Sequence, residues 1–180
     1  MNSEFGTTAW GRDWQRLAEP TSLTRPDPAL PKARSLARRD HVTDVELHPG
    51  EITAVVHHSG SHRVRVDVPV WDGEHVERAR ELVTGHGDDL PDTVHSTLVR
   101  AGQPPAPQPD VVTASCDCTG RKRPCVHILA AFFEIARQLD HRPRLALVLR
   151  GVEDSHSPPS TARVPIGLLD PTDFYGEPGR

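Results

Sequence analysis

Three cysteines and one histidine, packed into twelve positions of a 180-residue chain, constrain this sequence more than anything else in it. The cluster reads Cys116-Asp117-Cys118, then six residues, then Cys125-Val126-His127, and it holds every cysteine the chain has. Zinc takes four tetrahedral ligands, with thiolate at about 2.3 Å and imidazole at about 2.0–2.1 Å. In an extended strand, residues two apart point the same way, so Cys116 and Cys118 can act as a pair with Asp117 facing away. On a continuous helix, residues two apart point to nearly opposite sides. Cys125 and His127 therefore share one metal only if Cys125 sits just before a helix and His127 lies in its first turn. The helix N-terminus then directs partial positive charge at a thiolate.

All four positions are filled by protein groups, which marks a structural rather than a catalytic zinc. Three thiolates and one Zn²⁺ leave a charge of −1, and Arg121, Lys122 and Arg123 lie in the connecting turn to offset it. The competing readings are a redox Cys-x-Cys pair or unligated thiols. A Cys–His nucleophile pair lacks a third, orienting group.

Charge is segregated along the chain. The net formal charge is −4, yet residues 111–150 hold seven basic and three acidic side chains, while 72–110 hold three basic and eight acidic. A small basic block on an acidic chain can touch phosphates without acting as a general nucleic-acid binder, because that affinity scales with the phosphates neutralised. Arg121, Lys122 and Arg123 thus have two readings: phosphate contact, or compensation of the metal site. Arg38 and Arg39, in a second basic stretch with Lys32 and Arg34, have the same choice between phosphate contact and a solvated face. Trp10 and Trp14, four apart on one helical face, either anchor a partner or pack on the chain's own sheet. His57, His58 and His62 flank a turn; with no cysteine or carboxylate at ligand spacing, they read as edge-strand polar residues rather than a second metal site. Pro104 and Pro107 fit a polyproline ligand pattern but read more simply as a spacer.

The surrounding pattern is α+β: a small antiparallel β-meander followed by helices, with the zinc knuckle leading into a core helix. Residues 1–31 read as a Trp-containing helix, from about Trp10 to Ala18, and a Pro-rich linker. Residues 32–102 read as sheet and helices. His41–His48, Glu51–His57 and Arg63–Val70 alternate or run as β-type segments joined by short turns, the last with Val64, Val66, Val68 and Val70 on one face. Glu74–Val83 and Leu90–Ala101 read as helices. Residues 103–110 are a Pro-rich spacer. In 111–151, a short strand over 111–114 enters the knuckle, and Ile128, Phe132, Ile135 and Leu139 recur at helical spacing after it. Leu145–Leu149 is a further apolar segment. Residues 152–180 read as a polar tail. No apolar run approaches the roughly 20 residues that span a bilayer, and the first residues lack a secretory pattern, so a cytoplasmic, potentially nucleoid-associated protein is expected.

At the knuckle the chain resembles the SWIM zinc-finger family, whose signature is C-x-C, a spacer, then C-x-H; Cys116, Cys118, Cys125 and His127 match it. Trp10-Gly11-Arg12 with Trp14, the stretch Ala33–Arg39 and Leu149-Arg150-Gly151 are similar to the flanking segments of bacterial members. Leu36 departs from an expected aromatic and Val126 from a common lysine, and the second departure puts one phosphate contact in doubt. The resemblance implies one structural Zn²⁺ and a DNA-binding or protein-binding role. It also implies a protein partner such as a Swi/Snf-type helicase-like ATPase. No phosphate-binding Gly loop, paired-carboxylate motif or nucleophile elbow is present, so a non-enzymatic module without a small-molecule substrate is expected.

Overall fold

The structure, a computed structural model, describes residues 5–19, 27–87 and 89–152. The expected tail over 152–180, apart from Val152, lies outside the described residues, as do residues 20–26 of the expected linker. Six α-helices are present among the described residues: α1 (Ala9–Ala18), α2 (Leu30–Arg38), α3 (Gly73–Val83), α4 (Asp92–Arg100), α5 (Val126–His141) and α6 (Arg144–Leu149). Four strands, β1 (Val42–His48), β2 (Glu51–His57), β3 (Ser61–Asp67) and β4 (Thr113–Cys116), form one antiparallel sheet in the order β1-β2-β3-β4. Among the described residues, no helix is long and apolar enough to cross a membrane.

Strand alternation builds the inner face. Ile52, Ala54, Val56, Val64 and Val66 are all buried, while Arg63 and Arg65 between them are exposed. In β1 the apolar residues Val42 and Val45 are three apart, which strict alternation would send to opposite faces. A bulge resolves this. Pairing jumps from Thr43↔Val55 to Glu46↔Thr53, and Asp44 adopts φ +50. The extra residue brings Val45 and Leu47 back to the side of Val42. Val70, expected on the inner face with the other valines, is instead exposed, because β3 ends at Asp67 and the chain turns away.

Helix α5 crosses all four strands, and α1 and α2 pack on it from the other side. It is therefore enclosed nearly all round, with eleven of its residues buried, including Ile128, Phe133, Ile135 and Leu139. Helix α2 was not expected from the alternation signals. Its start is marked by proline in the first turn, and Leu30, Ala33, Leu36 and Ala37 supply the buried stripe. The Pro-rich spacer is packed rather than free. Pro105, Ala106 and Pro107 are buried, and Gln103 Nε2 donates to the His75 carbonyl at 2.8 Å.

The N-terminal edge of α1 is tied to the far end of α5. The Asp140 carboxylate accepts from the Gly6 and Thr8 amides and the Thr8 hydroxyl, each at 2.8 Å. This close approach needs Gly11. A Cβ there would lie 2.6 Å from the Ala136 carbonyl and nearer still to the Asp140 carboxylate. Gly11→Ala gains about 1 kcal/mol of helix propensity, but the clash is with backbone and cannot be relieved by a rotamer change. Overpacking of this kind costs about 1–3 kcal/mol. The variant is expected to be less stable in urea denaturation; a midpoint at or above wild type would show that α1 does not pack this closely.

Candidate metal centre

Two elements deliver the four ligands. Strand β4 pairs with β3 in the register Val64↔Cys116, so Cys116 is placed by the sheet edge. Its continuation is pinned by Asp117, whose amide donates to the Arg63 carbonyl at 3.3 Å and whose carboxylate accepts from the Arg63 amide at 3.0 Å. Asp117 thus faces away from the cluster, as the two-residue spacing predicts, and Cys118 follows on the ligand side. Cys125 is the N-cap of α5, with extended backbone (φ −82°, ψ 169°), and His127 lies in the first turn. This is the arrangement that lets residues two apart converge.

The four ligand atoms lie within 4.8 Å of one another. His127 Nδ1 is 3.7 Å from Cys116 Sγ and 3.9 Å from Cys125 Sγ. Zn–S bonds of about 2.3 Å in a tetrahedron separate ligand atoms by roughly 3.5–3.8 Å, so the spacing fits zinc. The electrostatics agree. Burial pushes the Cys116 thiol up to about 12, opposed by the Cys118 amide and reinforced by the neighbouring cysteine side chains. For Cys118, burial also pushes upward, but the Gly120 amide, the neighbouring cysteines and Arg123 outweigh it and hold the thiol below its usual value. Burial, then His62 and His58, hold His127 below the usual imidazole range. A Cys116 thiol that disfavours ionising alone, a Cys118 that ionises readily and an imidazole kept neutral suit a divalent cation, which stabilises the donor forms.

The basic turn divides its work. Arg123 folds back on the knuckle: its Nη1 donates to the Gly120 carbonyl at 2.6 Å and lies 3.9 Å from Cys118 Sγ. Lys122 pairs with Asp27 at 2.6 Å. Arg121 is exposed. Arg123 thus sits against the cysteine cluster, and Lys122 ties the turn to the segment that leads into α2. Trp10 and Trp14 are not at this site. They are 1% and 0% exposed, inside the core on α1, and present no surface to a partner. Arg38 and Arg39 are exposed at the end of α2.

Residues 97–136 match the SWIM zinc finger family. These residues are a SWIM zinc finger. The SWIM signature falls on the four clustered side chains, and together they hold one structural zinc through Cys116, Cys118, Cys125 and His127. Zinc bound there joins β4 to the start of α5 and contributes folding energy directly. The chain is also similar to the uncharacterized protein Rv2102 of Mycobacterium tuberculosis, 28% identical over 138 residues, covering 69% of this chain and 49% of that protein. The chain thus spans about half the length of this curated relative. No solved structure matches it.

The SWIM finger has neighbours that its own motif does not reveal. The β2–β3 turn brings His58 to 3.4 Å from His127 Nε2 and stacks His62 on the His127 ring. Three histidines around one turn were the available signal, but pairing across more than 50 residues is visible only once the sheet register is known.

Proposed function

We propose that this chain is a non-enzymatic, zinc-stabilised module that binds DNA through phosphate contacts and positions a partner, such as a helicase-like ATPase, on it. The observation that carries this reading is that basic residues lie on the segments that share the finger's end of the sheet. Arg121 is in the knuckle, Arg63 flanks the β2–β3 turn beside Asp117, and Arg38 and Arg39 close α2 just before β1 enters at that same end. The His41 carbonyl accepts from the His57 amide at 2.8 Å, which aligns the start of β1 with the same turn. Three strand spacings of about 4.8 Å separate β4 from β1, so this end of the sheet is roughly 15 Å wide. His41, His57, His58 and His62 lie among them.

Binding of zinc-loaded protein to labelled single- and double-stranded DNA, followed by fluorescence anisotropy across a salt series, tests this. Each phosphate contact contributes about 0.7–0.9 to the log–log salt slope. Replacing Arg39, Arg63 and Arg121 together by alanine is expected to lower the slope by about 2. Arg123→Ala is expected to act on the finger's integrity rather than on the slope. Absence of binding at low salt would overturn the DNA reading.

A protein-binding adaptor is the second reading, supported by a different observation. A groove of about 330 Å³ beside β4 is lined by Leu17, Val112, Ala114, Ile128 and Phe132, with Arg123 at its margin. Such an apolar cleft suits a peptide segment of a partner protein.

A further inference from the structure

The two ring nitrogens of His127 face different neighbours. Nδ1 looks into the cysteine cluster, 3.7 and 3.9 Å from two thiol sulfurs. Nε2 points outward to the β2–β3 turn, where His58 Nδ1 lies 3.4 Å away. The backbone of His58 also hydrogen-bonds to the His127 ring. His62, from the same turn, lies flat on the His127 ring, with centroids 4.2 Å apart and planes 23° apart. The outer edge of His62 is held in turn: its Nδ1 is 3.4 Å from Asp117 Oδ1. Both histidines are half-buried, and both lie outside residues 97–136.

We propose that His58 and His62 are positioning residues of the zinc site, which select Nδ1 of His127 as the ligating nitrogen. Zinc on Nδ1 leaves the ring's proton on Nε2, and a metal-bound imidazole needs an acceptor for its remaining N–H. His58 supplies that acceptor through its Nδ1 lone pair and its backbone. His62 acts by shape: its ring covers one face of His127 and blocks the rotation that would exchange the two nitrogens. Asp117 keeps His62 in that plane while its carboxylate also takes the Arg63 amide. The turn between β2 and β3 thereby orients a ligand 69 residues further along the chain. This inference rests on the zinc centre and is independent of DNA binding.

The test uses zinc-loaded full-length protein with ¹⁵N-labelled histidine. Two-bond ¹H–¹⁵N correlation spectra of the wild type should show His127 metal-bound at Nδ1 and protonated at Nε2; the reverse pattern would overturn the proposal without any variant. Chelator competition then reads zinc affinity. His58→Ala is expected to lose about 10–100-fold. His58→Asn, which keeps an acceptor, should recover most of that loss. His62→Ala should lose less, and His62→Phe, which keeps a flat face, should recover it. A His58→Ala affinity within twofold of wild type, or substitutions that fail to separate Asn from Ala and Phe from Ala, would refute the positioning role. Elemental analysis at saturating zinc is expected to show one zinc per chain in every variant; a variant with none would mean that the histidine holds the site together rather than orienting one ligand in it.

Discussion

Cys125→Ser is expected to release the zinc and unfold residues 111–139. Cys125 holds two positions at once, metal ligand and N-cap of α5, and it is only 7% exposed. A serine oxygen cannot replace a thiolate for zinc at this spacing, and a structural zinc contributes on the order of 10 kcal/mol in small zinc-binding peptides. Domain stabilities of about 5–15 kcal/mol leave little to absorb such a loss. The opposing contribution is packing, because α5 is enclosed by the sheet, α1 and α2. That packing favours a partly ordered α5 C-terminal half over a completely unfolded chain. Elemental analysis with hydrogen exchange separates the outcomes. Retention of one zinc per chain, with β4 and the first turn of α5 still protected, would remove Cys125 from the ligand set.

Trp14→Ala should have the second-largest effect. Trp14 is fully buried, and among the described residues neither its Nε1 nor that of Trp10 meets a hydrogen-bond partner, so apolar packing holds the indole. Truncating a buried tryptophan to alanine costs about 3–5 kcal/mol. The loss falls on the α1–α5 contact, which Gly11 and Asp140 also serve. A surface anchor for a partner would behave in the opposite way, leaving urea stability unchanged and abolishing binding. A stability loss below about 1 kcal/mol would show that Trp14 does not carry this interface.

Much of this molecule was legible before its coordinates. The spacing of Cys116, Cys118, Cys125 and His127 demanded one geometry, strand then helix N-terminus, and the chain adopts it. The alternation of Val64 and Val66 and the recurrence of Ile128, Phe132, Ile135 and Leu139 placed β3 and α5, because burial of one face leaves little freedom of register. What escaped was non-local or two-sided. Helix α2 has a proline where alternation-based reading sees a linker. The short strand expected over 111–114 is present as Thr113–Cys116, but its place beside β3 as the fourth strand of the sheet is a long-range pairing that no local pattern shows. Trp10 and Trp14 share a helical face whether that face meets solvent or α5, so periodicity alone could not choose between anchor and core. His58 and His62 reach the metal centre through the long-range pairing of β3 with β4, which no local pattern encodes.

The register Val64↔Cys116 has a consequence for how this protein can be dissected. The recognisable motif ends at residue 136, four residues short of the carboxylate that anchors the start of α1, and begins at residue 97, well after β3, the strand with which Cys116 pairs. A fragment cut at those bounds would keep all four donor atoms. It would lose the hairpin that aligns two of them and the scaffold that encloses the helix carrying the rest. Zinc would still collect the donors in such a peptide, yet the peptide would be a chelate rather than a domain, open on three sides. The heritable unit read by motif recognition and the cooperative unit that melts as one are therefore different lengths of the same chain.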